Sequence, residues 1–592
     1  MSKFILSNVK AVEKTIAKSE KEGFSVSGKM EGSVNMVYRA FHKLGMKNDN
    51  FLQINDDFIS VIGTIIYKEG IGIDALTNLY KDFNGLQDIE SIRNASVGNG
   101  AYIIKKSGKV YVFTDSYALF AIYYYLRDNE YVISNTLMDI ANTIPVEPNW
   151  NNIYERLWIQ TIYCGGTYFN DVYRLSDDKC IVFDCASNSV NISPVDVVWI
   201  SKENKSYEAI VKSVSKSLIA NASVITNCLG TPALSSTGGL DNRMNLASFL
   251  ASGSKPNLFY GIGNSSVTNT FNEDAEIDRH YSDKYDLTFN TLKWTTPTPI
   301  NKDWKSLLAK FGESYELYAG SEAIFGGYMT IDNKSIFFGY FGEMYRNLDF
   351  IDNLKNDYFS IDEYIDDYLM PMTDSKEIVI DTVAFREYLK NHLLIICEKW
   401  NLNPDHILKE DEVYLSLERR LEGDSRLVNW INYHHYSCFL LGQKQSLQYV
   451  LQVSTEKRKY SRFMIDLLLS IYPTIMEVPV FTHTHYMVYD KGSNSLKLPR
   501  KRRMMNSFKS LIPFYDIMIQ SSIGRRIKEL IRHKKKKSEA IHDKSYQNEI
   551  ESLMSKHGRE RGRDYDFLAN GNITRTITYL QILEELNNAK LL

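Results

Sequence analysis

Several features that would suggest a common class of protein are scarce in this 592-residue sequence. Its six cysteines form no C-x-x-C pair, so we expect a reducing compartment with neither a zinc site nor a disulfide framework. The most apolar long window, residues 463–481, is interrupted by Asp466, Pro473 and Glu477, so no membrane span is expected. The apolar run that follows Met1 is too short for a signal peptide. These absences favour a cytoplasmic protein.

The chain also lacks a strong charge of either sign, because 69 Lys and Arg against 72 Asp and Glu give a formal net charge of −3. Its 44% hydrophobic and 24% charged residues are usual for a globular protein. At 592 residues the chain exceeds what one hydrophobic core normally supports, so two or more domains are expected.

Two widespread phosphate-binding motifs do not fit the glycine-rich stretch at residues 231–246. The P-loop needs a lysine after its second glycine, and the dinucleotide fingerprint needs Gly-x-Gly-x-x-Gly. The stretch instead predicts a short strand, a loop with paired glycines and hydroxyls, and a helix that begins near Leu240. Backbone N–H groups in such a loop bind phosphate oxygens. Because Asp241 would repel a bare phosphate, its presence predicts Mg²⁺ between the two.

The loop Thr237-Gly-Gly-Leu-Asp-Asn242 resembles the Ser-Gly-Gly-Leu-Asp-Ser pyrophosphate loop of the asparagine synthetase family, with Thr237 and Asn242 in place of the serines. About 100 residues later, an apolar strand runs into Gly339-Tyr-Phe-Gly-Glu343. This second loop resembles the family's Ser-Gly-x-Gly-x-Asp-Glu signature in the variant form Gly-x-x-Gly-Glu-x-x-Arg, with Phe338 in place of the serine and Glu343 in place of the acidic pair.

The resemblance implies a site for ATP and Mg²⁺, in which Asp241 and Glu343 share the metal. Arg346 would balance the charge of pyrophosphate or, as the alternative, form a surface salt bridge. The end of a further strand, at Gly261 and Ile262, would contact adenine. The helix after this strand would begin with an acid, Asp274, which is equally well explained as a first-turn carboxylate that the helix dipole favours. The implied nucleotide-binding residues are Ser235, Ser236, Thr237, Gly238, Gly239, Leu240, Asp241, Asn242, Gly261, Ile262, Gly339, Tyr340 and Gly342.

The pattern of apolar residues predicts a β-rich region followed by an alternating α/β region. Strands are predicted at residues 58–67, 100–105, 109–114 and 131–134, and a helix at 73–83. We expect the tyrosines at 123–125, which follow Asp115, to lie in a helix. This order resembles the glutaminase domain that precedes the synthetase domain in the same family.

Residues 1–195 are therefore expected to form an Ntn-hydrolase-like β-sandwich with helices. Residues 205–592 are expected to form a parallel-sheet ATP-pyrophosphatase domain, like the adenine nucleotide α-hydrolases, with a helical C-terminal half. The fold class is thus α/β and α+β. Within the second domain, helices are predicted at residues 207–219, 272–281, 385–400, 425–449 and 462–471, and a strand at 258–263.

The glutaminase chemistry itself is missing. In that family an N-terminal cysteine attacks glutamine, whereas here Ser2 follows Met1 and the first cysteine is Cys164. We therefore expect a degenerate domain that is retained as a scaffold, although a hydroxyl at Ser2 is not chemically excluded. Family members without this cysteine include β-lactam synthetases and lasso-peptide cyclases, which use an amine on the substrate itself.

By this resemblance the chain is expected to be an ATP-dependent ligase that activates a carboxylate as an acyl-adenylate, releases pyrophosphate and forms an amide. Modification of a natural product, peptide or polysaccharide fits better than primary asparagine synthesis. The alternatives are an amidotransferase that delivers ammonia or glutamine nitrogen to a sugar acid or metabolite, and a catalytically decayed binding protein.

A basic region spans residues 497–537, with fourteen Lys or Arg residues against two acids. It is either a solvated face or a surface that meets an anionic molecule or peptide. We do not expect nucleic acid, because no aromatic-bearing RNA module is visible. In the family a late lysine stabilises charge as the adenylate is attacked. Lys497, Arg500 or Lys501 could reach the reacting centre here, and Lys497 is the catalytic candidate. The sequence leaves open whether the chain is a homo-oligomer.

Overall fold

A computed structural model of the chain describes residues 3–31, 36–147, 149–159, 161–203, 205–263, 269–294, 331–370, 382–482, 485–493 and 495–497. The architecture is mixed α/β. Two six-stranded antiparallel sheets precede residue 195, and a four-stranded parallel sheet follows residue 232. No helix in these ranges combines the length and apolar character needed to cross a membrane. All six cysteines are free thiols, as the sequence predicted.

The first antiparallel sheet contains, in spatial order, β10 (Val172–Arg174), β8 (Tyr123–Arg127), β9 (Glu130–Ser134), β1 (Phe4–Ser7), β3 (Val37–Phe41) and β2 (Val26–Glu31). The second contains β12 (Ser189–Pro194), β11 (Lys179–Asp184), β7 (Lys109–Thr114), β6 (Ser96–Lys106), β5 (Asp57–Tyr67) and β4 (Phe51–Ile54). The helices of this region are α1 (Val12–Lys21), α2 (Ile73–Asp82), α3 (Ile89–Asn94), α4 (Leu137–Thr143) and α5 (Trp150–Ile159).

The two antiparallel sheets pack face to face. Successive residues of a strand point to opposite faces, so each strand has one face toward the other sheet and one face away from it. Tyr38 of β3 stacks on Phe58 of β5, with ring centroids 4.9 Å apart. On the other face of β5, Ile59 and Ile65 are buried in a separate cluster with Leu76 of α2. The predicted pair of packed sheets with helices is therefore confirmed, and the likeness to Ntn hydrolases remains a prediction.

The predicted helix at the tyrosine triplet is wrong. Tyr123, Tyr124 and Tyr125 begin strand β8, which pairs with β9 on one side and β10 on the other. A 3₁₀ turn at Ser116–Ala118 is the helical piece that follows Asp115. Aromatic side chains are enriched in strands because they pack well on a pleated surface, and this preference explains a strand where the resemblance had suggested a helix.

The parallel sheet has the order β15 (Phe289–Trp294), β14 (Asn257–Gly263), β13 (Ala233–Ser235) and β16 (Ile336–Phe337). Three helices connect or cover it: α6 (Tyr207–Leu229), α7 (Leu240–Ala251) and α8 (Asn269–Tyr285). The predicted alternation of strand and helix is confirmed here. In such a sheet the loops that follow the strands meet at one edge, where ligands usually bind.

The later part of the described chain is mainly helical. Its helices are α9 (Asp349–Asn353), α10 (Ile361–Glu363), α11 (Thr382–Trp400), α12 (Glu412–Ile431), α13 (Lys444–Val450), α14 (Thr455–Arg458) and α15 (Arg462–Ile471). A two-stranded sheet pairs β17 (Tyr358–Phe359) with β18 (Ile407–Leu408), and a three-stranded sheet joins β19 (Val480–Thr482), β20 (His485–Asp490) and β21 (Ser495–Lys497).

One predicted helix in this part, at residues 425–449, is wrong because it is broken in the middle. Helix α12 ends at Ile431, and the side-chain amide of Asn432 donates to the carbonyl oxygens of Val428 and Ser437. An Asn side chain that competes for backbone partners favours the end of a helix. The chain then crosses the antiparallel region, where the Phe439 N–H donates to Asn99 and the Gly98 N–H donates to Gln443.

The antiparallel and parallel regions share one large apolar cluster, which extends from Phe4 to Val480. Their interface also contains a buried lysine, Lys43, whose Nζ lies 3.1 Å from the carbonyl oxygens of both Asn432 and His435. The division into domains at residues 195 and 205 remains a prediction.

Candidate active site

The two loops that the sequence singled out lie side by side at one edge of the parallel sheet. Strand β13 pairs in parallel with β16, in the register Ala233 to Ile336 and Leu234 to Phe337. Both strands therefore end at the same edge, and the loops at 236–239 and 338–342 both begin there. The predicted juxtaposition of the two loops is what the sheet geometry requires.

Two glycines of the second loop let it approach the first turn of α7 closely. A Cβ on Gly339 would lie 2.6 Å from the backbone nitrogen of Asn242, and a Cβ on Gly342 would lie 2.4 Å from the Asp241 Cγ. Between them, Phe341 has a left-handed conformation with φ of 71°. Glycine is needed at 339 and 342 because any side chain there would enter the space occupied by Asp241 and Asn242.

Side-chain hydrogen bonds shape the first loop. The Asn242 Nδ2 donates to the Thr237 Oγ1 at 3.0 Å, and the Gly239 N–H lies 3.4 Å from the same oxygen. The two residues that replace serines in the resembling motif are therefore partners of each other. Helix α7 begins directly after the loop at Leu240, so its N-terminal N–H groups face the loop.

Two acids of α8 also contact this loop. Asp274 accepts a hydrogen bond from the Gly238 N–H at 2.7 Å. Asp278 accepts one from the Ser236 hydroxyl, and its other oxygen is buried without a hydrogen-bond partner in the described part of the chain. Burial raises the pKa of Asp278 well above its ordinary value. Asp274 is thus a direct neighbour of the loop, but the predicted acidic start of the helix is wrong, because α8 begins at Asn269 and Asp274 lies in its second turn.

The acids that we predicted as metal ligands flank one guanidinium. The Arg346 Nη2 lies 3.4 Å from the Asp241 Oδ2 and 4.0 Å from the Glu343 Oε1. Each of these three side chains is between a quarter and a third exposed. Burial raises the pKa of Asp241 to about 6, with Arg346 opposing that shift and Glu343 adding to it. The structure therefore brings Asp241, Glu343 and Arg346 together.

Helix α12 contributes two site residues that the sequence analysis missed. Arg420 contacts Glu343, with its Nη2 3.1 Å from the Oε1. One turn later, Asp424 is buried, one of its oxygens has no hydrogen-bond partner among the described residues, and burial raises its pKa to about 7. The sequence did contain a signal for these residues. Six charged residues lie between 418 and 426 in a helix that is largely buried, and buried charges of both signs often mark a functional site.

The acids fit a magnesium ion. Asp241 and Glu343 offer only oxygen ligands, and the Asp241 Oδ1 is buried and has no hydrogen-bond partner in the described ranges. Those ranges contain no group of three or more His, Cys, Asp or Glu side chains that could hold a metal alone. Mg²⁺ is usually bound by one or two carboxylates together with substrate phosphates, which is the arrangement that these residues allow.

The remaining predicted residues have mixed positions. Ser235 ends β13, and Gly261 and Ile262 lie in β14, paired with Leu292 and Lys293 of β15. Tyr340 is partly buried, with its ring centroid 5.8 Å from that of Phe439. Lys497 forms an ion pair with Asp490 of the neighbouring strand, and it makes no ion pair with Asp241 or Glu343. Ser2 and residues 498–537 of the basic region lie outside the described residues.

No family model matches the chain. No curated protein matches it either. Among solved structures it is similar to the glutamine phosphoribosylpyrophosphate amidotransferase from B. subtilis complexed with ADP and GMP, at 8% identity over 50% of this chain and 67% of that one, with a TM-score of 0.22.

A structure described as the allosteric regulatory enzyme of purine biosynthesis has 9% identity over 53% of this chain and 78% of its own, with a TM-score of 0.23. The glutamine-dependent NAD⁺ synthetase from Acinetobacter baumannii in complex with ADP has 14% identity over 33% and 41%, with a TM-score of 0.17. Likenesses at this level do not establish a common fold.

Proposed function

We propose that this chain is an ATP-dependent ligase that joins a carboxylate to an amine through an acyl-adenylate. The observation that carries the proposal is the pair of carboxylates, Asp241 and Glu343, which come from separate loops and flank the same nitrogen of Arg346. Together with the glycine-rich loop and the N-terminus of α7, they suit a nucleotide whose pyrophosphate is held and whose α-phosphate is open to attack.

The first loop would bind the pyrophosphate. Backbone N–H groups of residues 238–242 surround the start of α7, and the partial positive charge of the helix N-terminus adds to their attraction for phosphate. Bound Mg²⁺ would neutralise phosphate charge between Asp241 and Glu343. Gly238 donates to Asp274, so phosphate must replace this carboxylate as the acceptor or bind to the neighbouring N–H groups.

Two arginines would hold the leaving pyrophosphate. Arg346 contacts Asp241, and Arg420 holds Glu343 from the side of α12. A substrate carboxylate would attack the α-phosphate, the bond to pyrophosphate would break, and an amine would then displace AMP. Positioning and electrostatic stabilisation supply most of the rate in such a reaction, so no protein nucleophile is required.

The N-terminal region supports a proposal about the source of the amine. The first cysteine in the sequence is Cys164, far along the chain from β1, and Lys3, directly before β1, is buried with its Nζ 2.7 Å from Asp139. Such a buried ion pair suits a scaffold, so we propose that the amine belongs to the substrate. The carboxylate and amine would come from a peptide, a polysaccharide or another natural product.

A second candidate function is nucleotide binding without catalysis. It is favoured by the reduction of the family's Asp-Glu pair to Glu343 and by Phe338 at the position of the serine. In that case Mg·ATP would bind, but no carboxylate would be activated.

The test is carboxylate-dependent exchange of labelled pyrophosphate into ATP, screened over candidate acids. Wild type should exchange with at least one acid, and Asp241→Asn should lose nearly all exchange. Asp286→Asn is the matched control, because Asp286 is exposed and pairs with Lys255. Binding of Mg·ATP by calorimetry without exchange would favour the second candidate. Absence of binding would refute both.

A further inference from the structure

A buried arginine lies directly behind the glycine-rich loop. Arg243, in the first turn of α7, has no exposed surface. Its Nη1 donates to the carbonyl oxygen of Val478 at 2.7 Å, and its Nη2 donates to that of Pro479 at 2.6 Å. The same two nitrogens lie 3.3 Å from the Ile475 oxygen and 3.5 Å from the Gly238 oxygen.

This guanidinium has no carboxylate partner. Among the described residues no acid lies within ion-pair distance of Arg243, and its neighbours are backbone carbonyls and the ring of Tyr281, whose centroid is 5.2 Å away. Transfer of an unpaired charge into the protein interior is costly, and carbonyl dipoles offset only part of that cost. An arginine cannot relieve it by losing its proton. A net positive charge therefore remains behind the loop.

One acid, Asp278, lies close enough to act electrostatically on that charge. Asp278 is fully buried, and burial raises its pKa well above the ordinary value. Arg243 and Asp278 influence each other electrostatically without forming an ion pair. The field of Arg243 therefore reaches the loop in surroundings of low dielectric constant, where it is stronger than in water.

Arg243 also sets the direction of one peptide group in the loop. The carbonyl oxygen of Gly238 faces the guanidinium. In a trans peptide the N–H of the next residue points the opposite way, so the N–H of Gly239 points away from Arg243. The Gly238 carbonyl oxygen is thereby turned toward Arg243, and the Gly239 nitrogen lies 3.4 Å from the Thr237 Oγ1, which phosphate would replace as its acceptor.

We infer that Arg243 is a positioning residue of the proposed nucleotide site. It fixes the Gly238–Gly239 peptide and holds the loop against residues 475–479. It also supplies buried positive charge for the pyrophosphate. The inference rests on the proposed function. It adds the segment Ile475–Pro479, more than 230 residues away in sequence, as the support against which the loop is held.

The test measures the affinity for Mg·ATP by calorimetry in Arg243→Ala, with and without free guanidinium ion. We expect Arg243→Ala to bind at least about tenfold more weakly, since a charge-assisted contact and a fixed donor are lost. Millimolar guanidinium should restore part of the affinity. Urea, which has a similar shape but no charge, should not, and sodium chloride at the same concentration controls for ionic strength.

Arg458→Ala is the matched control. Arg458 is also a fully buried arginine, but its hydrogen bond goes to the Glu410 carbonyl oxygen and not to either loop. This variant should lose stability and keep its affinity for Mg·ATP. If Arg243→Ala does not fold, Arg243→Lys keeps the charge without the planar fork, and it should fold and bind several-fold more weakly than wild type.

The outcomes separate this inference from the proposed function. If wild type binds Mg·ATP and a folded Arg243→Ala or Arg243→Lys binds equally well, the inference is wrong and the proposed function stands. If urea restores affinity as well as guanidinium does, the role of charge is refuted. If wild type does not bind Mg·ATP at all, the proposed function fails, and the inference fails with it.

Discussion

The close approach of the two loops can be tested by adding a single methyl group. In Gly342→Ala the new Cβ would lie 2.4 Å from both the Cγ and the Oδ1 of Asp241, and 2.6 Å from its Cβ. These distances are far below van der Waals contact, so either the second loop or the start of α7 must move. Gly342 does not have a positive φ, so the effect comes from the contact and not from backbone strain.

The expected cost follows from overpacking. Inserting one carbon into a well-packed contact typically destabilises a protein by about 1–3 kcal/mol. A Gly→Ala change at a compatible backbone position gains about 0.4–1 kcal/mol through the unfolded state. We therefore expect Gly342→Ala to lower the free energy of unfolding by roughly 1–2 kcal/mol. Because the displaced group is the Asp241 carboxylate, affinity for Mg·ATP should fall as well.

Gly239→Ala is the matched control in the first loop. Its Cβ would meet only the Thr237 Oγ1, at an ordinary distance of 3.5 Å, and its φ of −73° suits alanine. Urea unfolding of both variants should show a change within about 0.5 kcal/mol for Gly239→Ala. If Gly342→Ala is as stable as this control and binds Mg·ATP like wild type, the two loops do not touch as described.

Three further results are expected. Arg420→Met should reduce pyrophosphate exchange by about tenfold or more, because Glu343 loses its partner on α12. Arg386→Met, the control, breaks only the ion pairs of Arg386 with acids near the surface such as Asp362, and should leave exchange unchanged. Lys43→Met should lower the free energy of unfolding by about 2–4 kcal/mol in urea titrations, since the buried carbonyls of Asn432 and His435 lose their donor. Burial raises the pKa of Asp115 to about 7 from 3.8, so the folded state binds a proton that the unfolded state releases, and stability falls as pH rises from about 4 to 7. Urea unfolding at pH 5 and pH 8 should show a loss of at most about 3 kcal/mol, reduced in Asp115→Asn, and an equal pH dependence in both proteins would contradict it.

Much of the site could be predicted because its signals are local. The glycines at 238–239 and 339–342 follow apolar strands, and the carboxyl ends of neighbouring parallel strands meet at one edge. The acids within these loops were therefore predicted to meet, and Arg346 follows Glu343 closely enough to join them.

The residues that were missed are those whose role depends on packing between distant segments. Nothing in the sequence near Arg243 indicates that residues 475–479 lie against it, and Arg420 reaches Glu343 only because α12 crosses the loop. For the same reason Lys497, chosen by its late position in the chain, proved to pair with Asp490 of its own hairpin.

The errors in secondary structure have a similar origin. Tyr123–Tyr125 form a strand because β9 and β10 lie on either side of it, which no periodicity within three tyrosines could indicate. The break after Ile431 depends on an Asn432 side chain that finds a distant acceptor in Ser437 as well as the helical carbonyl of Val428.

The most direct test of the account is a double-mutant cycle on the Mg·ATP affinity of Asp241→Asn and Glu343→Gln, measured by calorimetry. If the two carboxylates share one magnesium-bound pyrophosphate, each variant should lose affinity, and the double variant should lose clearly less than the sum of the single losses, with a coupling of about 1–3 kcal/mol. Strictly additive losses, or wild-type affinity in either single variant, would contradict a shared site.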